Sequence, residues 1–228
     1  MSAWLARAEA WLLEPAEADH AVASPVPSRP ISPPPARLRV SVIGLAHGAG
    51  ATTVARALGV ELARRDSGGV AVVMSERTPA AALPIATPAA LRLARSVRAL
   101  GCEGARATGR LCLAAGPSHA AALAAPVVFD AGRAASGTGG ADRTVLVAGA
   151  AAEPALAQVV SASFARGGRA PDLVANRVED AAPWEAIGAL VVGESRLAAV
   201  LALAGRDPRG RLGAVVRELA DRWEPDAW

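Results

Sequence analysis

The chain has 228 residues, enough for one core of about 190 residues plus an appendage; 52% of it is apolar, which excludes a generally disordered polymer, and 3% aromatic content leaves a core of Ala, Val and Leu. All 24 basic residues are arginine and the formal charge is +3, with Arg64-Arg65 the only adjacent basic pair, so the basic balance is weak evidence for a nucleic-acid partner and none is clear. No apolar run reaches the roughly 18–20 residues that span a bilayer, Cys102 and Cys112 have no metal or redox spacing, and the first 13 residues carry Arg7 and Glu9 where a leader would be apolar; the expectation is a cytoplasmic protein without membrane insertion.

Residues 2–14 are expected to form a helix, because Trp4, Leu5, Ala8, Trp11 and Leu12 recur on one helical face. Residues 15–37 contain seven prolines and read as an extended, semi-stiff linker that reaches on the order of 70 Å at about 3.1 Å per residue. A helix on such a tether suits a docking arm, and Trp is enriched among interface anchors, so Trp4, Leu5, Trp11 and Leu12 are the expected contacts to a protein partner. The segment 1–36 has a net charge of −2, which anionic lipid would repel. Four of the five tryptophans lie near the termini, Trp223 and Trp228 among them; for Trp223 a place in the core and a place at an interface are both open.

From Arg39 onward the pattern becomes strand, turn, helix, repeated, and residues 38–228 form the expected main domain. Strands are expected at Arg39–Leu45, Val70–Met74, Leu111–Ala115, Pro126–Asp130, Thr144–Ala148, Asp172–Asn176 and Leu190–Val192. Helices are expected at Thr52–Arg65, Ala89–Leu100, Glu153–Arg166, Ser195–Leu203 and Arg211–Trp223, with a loop at Ala134–Gly140. Short apolar strands alternating with helices imply an α/β fold: a doubly wound, mostly parallel sheet with helices on both faces.

The segment with chemistry is Gly44–Thr53, GLAHGAGATT, at a strand-to-helix junction. Glycines there let backbone N–H groups and a helix N-terminus face an anion. A working phosphate loop adds a Lys on the β/γ-phosphates and a Ser/Thr hydroxyl on Mg²⁺. Thr52 and Thr53 are present, but Ala51 stands where that Lys belongs. A tight turn without ligand is the alternative reading of the same residues.

With these residues the chain resembles the MinD/ParA family of P-loop ATPases, whose loop reads Lys-Gly-Gly-x-Gly-Lys-Thr-Thr. Against that pattern Gly48, Gly50, Thr52 and Thr53 match, Ala46 and Ala51 replace both lysines, and His47 replaces a glycine. VVFDAGR (127–133) resembles the family's strand ending in a Walker B-like Asp, and DLVANRV (172–178) its strand ending in the Asn-Arg that contacts adenine. TVLVAGAAAEPALAQVV (144–160) and the segment 189–223 resemble its next strand and helix and its C-terminal strand and helices, so the match covers roughly residues 38–223. The resemblance implies a nucleotide site, vestigial or weak, built from Gly48, Gly50, Ala51, Thr52, Thr53, Asp130, Asn176 and Arg177, with Thr52 and Asp130 holding Mg²⁺ only if nucleotide binds. Asn176 is the only Asn in the chain.

Against this, the family's switch region corresponds to Arg77–Cys102, which contains no Asp or Glu; the nearest are Glu76 and Glu103. No Arg lies between Arg39 and Arg56 to replace the loop lysines. The first expectation is therefore a pseudo-ATPase with no catalytic residues, no required cofactor and at most weak ATP and Mg²⁺ binding. It would act as a localisation or assembly adaptor for envelope, pilus, secretion or division machinery, recruited to the inner face of the membrane through a partner, with a homodimer left open. The alternatives are a slow ATPase with an altered loop and a ParA-like nucleoid-associated partition factor; the scattered arginines count against the second.

Overall fold

A computed structural model describes residues 37–74, 85–102, 104–115, 123–132, 140–166 and 168–223. The helix and linker expected at residues 2–36, with Trp4, Leu5, Trp11 and Leu12, lie outside the described residues, as do Glu76, Glu103, most of the loop Ala134–Gly140, and Trp228.

Eight strands form one sheet: β1 (Arg39–Gly44), β2 (Val70–Met74), β3 (Arg106–Thr108), β4 (Leu111–Ala115), β5 (Val127–Asp130), β6 (Arg143–Ala148), β7 (Asp172–Asn176) and β8 (Leu190–Val192). Their order is β3-β4-β2-β5-β1-β6-β7-β8, and every pair is parallel except β3 with β4. The described helices are α1 (Ala51–Arg65), α2 (Pro88–Ala99), α3 (Pro154–Arg166), α4 (Ala182–Ala186), α5 (Arg196–Leu203) and α6 (Gly210–Trp223). The expected doubly wound α/β architecture is the observed one. None of the described helices is long and apolar enough to cross a membrane.

Residue alternation on the buried strands divides the core. On one face Val40, Val42, Val70, Val72, Met74, Val128, Val145 and Val147 pack with α1, α5 and α6. The opposite face is covered at one end by α2, on Ala71, Val73, Cys112 and Ala114. At its other end α3 and α4 lie on Ile43, Leu146, Leu173 and Ala175. Small residues set close layers: a Cβ on Gly59 of α1 would meet Val72 Cγ2 at 2.7 Å. Trp223 belongs to the core at 2% exposure, and its indole N–H donates to Asp172 Oδ2 over 2.9 Å, so it is no interface anchor.

Because β1 pairs with β5 on one side and β6 on the other, the connections around it run in opposite directions along the sheet. Ligands of open α/β sheets sit at the carboxyl ends of strands beside such a reversal, and the Gly-rich segment leaves β1 there.

Candidate functional site

The loop after β1 is shaped by its main chain. Gly44 N–H donates to Gly132 O (2.7 Å), Leu45 N–H to Val147 O (2.9 Å) and Ala49 N–H to Ala46 O (3.2 Å), which ties the loop to the ends of β5 and β6. Gly50 is the N-cap of α1 with φ 92°, ψ 18°, a left-handed conformation that costs an L-residue about 1–2 kcal/mol. No side chain caps α1 and its first turn has no acid, so its leading amides stay available to an anion.

Above this helix end lies a cavity of about 660 Å³, within the range that suits a small-molecule ligand. Gly48, Gly50, Ala51, Thr52, Thr53, Asp130, Asn176 and Arg177, separated by up to 129 positions, all line it. Also on its wall are Gly132, from the segment 127–133, and residues that the sequence pattern does not single out as site residues: Gly193, Glu194, Ser195 and Arg196 at the start of α5. Ser195 caps α5 by accepting from Ala198 N–H at 3.2 Å, so a second helix N-terminus borders the cavity. That motif, a Gly-Glu-Ser turn before an apolar helix, is visible in the sequence; its place beside the loop after β1 is a product of topology.

Asn176 and Arg177 are engaged with the loop itself. The Asn176 amide, buried at 9% exposure, donates from Nδ2 to Ala49 O over 2.8 Å. Arg177 takes a left-handed φ of 59°, the only positive φ at a non-glycine among the described residues, and its guanidinium donates to Gly48 O. Two consecutive residues at the end of β7 thereby hold two consecutive carbonyls of the loop. Gly50 is required beside them, since a Cβ there would lie 2.1 Å from Asn176 Nδ2.

Asp130 ends β5 at 5% exposure and accepts a long bond, 3.4 Å, from Gly132 N–H. Arg56 stands on the inner side of α1, one turn below Thr52 and Thr53, at 2% exposure. Its Nη1 donates to Leu203 O at the end of α5 (2.7 Å), its Nη2 to Met74 Sδ at the end of β2 (3.4 Å), and its Nε has no partner among the described residues. Burial pushes the Arg56 guanidinium down from its ordinary value, and the charge of Asp130 holds it up against that. Thr52 and Asp130, the expected magnesium pair, both line the cavity, and the charge of Asp130 acts on the buried Arg56 behind it. His47 is exposed at the loop tip.

No protein-family model matches the chain, and no curated protein does so. Solved structures do. The chain is similar to a ParA family ATPase from Chlorobium tepidum TLS, at 13% identity and a TM-score of 0.55 over 81% of this chain and 98% of that one. It is similar to the septum site-determining protein MinD of Pyrococcus horikoshii OT3, solved with Mg-ADP, at 17% identity and a TM-score of 0.52 over 83% and 96%. The MinD cell division protein of Aquifex aeolicus gives 13% identity and a TM-score of 0.54 over 84% and 98%. The fold is that of the MinD/ParA-like P-loop NTPases.

Proposed function

We propose that this protein is a catalytically impaired MinD/ParA-like protein that works as a localisation or assembly adaptor, its nucleotide pocket binding weakly and without turnover. The observation that carries the reading is the state of the loop. It keeps a left-handed Gly50, an uncapped helix end and two threonines beside a ligand-sized cavity, while Ala46 and Ala51 stand at the positions of both family lysines. Phosphoryl transfer depends on positioned cationic groups that stabilise transition-state charge. Backbone amides at one helix end carry only about half a unit charge, enough to favour an anion and far short of what transfer requires. The docking arm at residues 2–14 supplies the adaptor contact in this reading, to a protein partner in the cytoplasm or at the inner face of the membrane.

The test is a calorimetric titration with ATP and Mg²⁺ alongside a hydrolysis assay. Weak binding with phosphate release at background supports the reading. Multiple turnovers that disappear in Thr52→Ala overturn it and establish an ATPase with an altered loop.

A further inference from the structure

A buried guanidinium lies behind the pocket, and its role rests on the reading that the pocket still accepts a phosphate-bearing ligand. Strand register places the groups. Met74 of β2 is paired with Asp130 of β5, and Asp130 in turn with Val42 of β1. Val72, Met74, Val42 and Val128 all point to the α1 face, and by alternation from Val128 the side chain of Asp130 points there too. Arg56 reaches that same face from α1 and touches Met74 Sδ at 3.4 Å. Arg56 and Asp130 thus lie on the same face of the sheet, at the ends of neighbouring strands β2 and β5.

A guanidinium at 2% exposure needs an opposing charge in place of water. Of its neighbours, Leu203 O is a neutral carbonyl, the thioether of Met74 is a weak acceptor and the Nε has no acceptor among the described residues. Asp130 is the carboxylate acting on it, and Asp130 also lines the cavity with Thr52. A divalent cation held between Thr52 and Asp130 would stand close to a buried positive charge that cannot move to water. The same Arg eases the opposite difficulty: its positive charge lies behind Asp130, so an anion entering the cavity meets a carboxylate backed by a buried cation.

We propose that this pocket takes a free polyphosphate anion, such as a nucleoside diphosphate without its metal, because Arg56 occupies electrostatically the place of the divalent cation. The phosphates lie at the N-terminus of α1, and on the cavity wall Arg177, which donates to Gly48 O, and Arg196, beside Glu194, are both exposed. Arg56 is a positioning residue in this arrangement and touches no ligand.

The experiment titrates the full chain with ADP and, separately, with inorganic pyrophosphate, in excess Mg²⁺ and in EDTA. Affinity in EDTA equal to or tighter than in Mg²⁺ is expected. Binding at least tenfold tighter in Mg²⁺ overturns the proposal but leaves the pocket a phosphate site. Absence of binding by either anion in either buffer overturns it together with the phosphate reading, and leaves the lack of turnover standing. Arg56→Met, which keeps the volume and removes the charge, should weaken ADP in EDTA about tenfold and make the remaining binding dependent on Mg²⁺. Should that variant fail to fold by circular dichroism, Asp130→Asn replaces it: with Arg56 intact, it should bind ADP in EDTA at least as tightly as the parent, and a tenfold loss contradicts the proposal.

Discussion

Replacing Gly50 by alanine tests the hold that β7 has on the phosphate loop. Two costs are expected, and they are separable. The new residue must adopt φ 92°, which costs about 1–2 kcal/mol in a left-handed conformation. Its Cβ would also stand 2.1 Å from Asn176 Nδ2 and 3.3 Å from Asn176 Cγ, so the amide has to leave. Leaving breaks the 2.8 Å bond to Ala49 O inside a buried site, where an orphaned group costs about 1–3 kcal/mol. The single substitution should therefore destabilise by about 2–5 kcal/mol. Asn176→Ala removes the same bond without strain at Gly50. In the double variant the clash has no partner and the bond is already gone, so only the backbone cost of an alanine in the left-handed conformation adds. Urea denaturation of the four proteins, followed by far-UV circular dichroism, should give a coupling of about 1–3 kcal/mol. Costs that add within about 0.5 kcal/mol would show that Gly50 and Asn176 act independently, and that β7 does not hold the loop through this amide.

Three further outcomes are expected. Ala51→Lys should strengthen ADP binding tenfold or more in a calorimetric titration, since a charge-assisted phosphate contact is worth roughly 1.5–3 kcal/mol; no gain would mean that the loop cannot present its amides to phosphate. The Cys112 thiol, fully buried, is pushed up to about 12 by desolvation, so its neutral form favours the folded state. That stability is complete below the ordinary thiol range near pH 9 and is lost as pH rises towards 12, at up to about 1.4 kcal/mol per pH unit; Cys112→Ala should remove this alkaline slope from a pH series of urea midpoints. Deleting residues 1–36 should leave the melting temperature nearly unchanged while abolishing co-purification with the partner, as should Trp4→Ala with Trp11→Ala; a large drop in melting temperature would make the arm part of the fold.

Much of the fold is legible in the sequence because the sheet is buried on both faces. Val70–Met74, Leu111–Ala115 and Leu190–Val192 are continuous apolar runs, as is Leu173–Ala175 between Asp172 and Asn176, and strands occupy those residues. β3 is not: Arg106–Thr108 is a three-residue antiparallel edge with too few positions to show a period. Nor is α4, five residues with a proline inside, placed by burial of Trp184 at 4% exposure and not by any helical repeat. The loop Gly44–Thr53 can be read from its glycines and threonines, which act locally. The bonds from Asn176 and Arg177 to that loop span 127 and 129 positions and exist only once β7 has been laid two strands away from β1. Arg56 lies outside the loop, and its pattern does not announce a site. A signal is present, an arginine among the buried residues of a helix, but it shares that burial with Glu61, and Asp130 is 74 positions further along the chain, at the end of another strand.

The pocket's cations bear on the choice between occupancy and turnover. A transferring phosphoryl group gathers charge on its equatorial oxygens, and an arginine or lysine that tracks that charge accelerates the reaction by about 10³–10⁵. Around this cavity each described arginine has another engagement. Arg177 donates to Gly48 O and helps to hold the loop. Arg196 is 95% exposed beside Glu194, where water screens it. Arg56 is buried below the ligand space and bound to Leu203 O and Met74 Sδ. On the proposed reading these groups serve the shape and resting charge of the site, and none stands where a lysine at position 51 would follow the phosphates. On that reading the site, walled by the loop, β7 and α5, can be occupied without turnover. Occupancy of this kind is what the proposed adaptor would need of the pocket, and it requires no chemistry there.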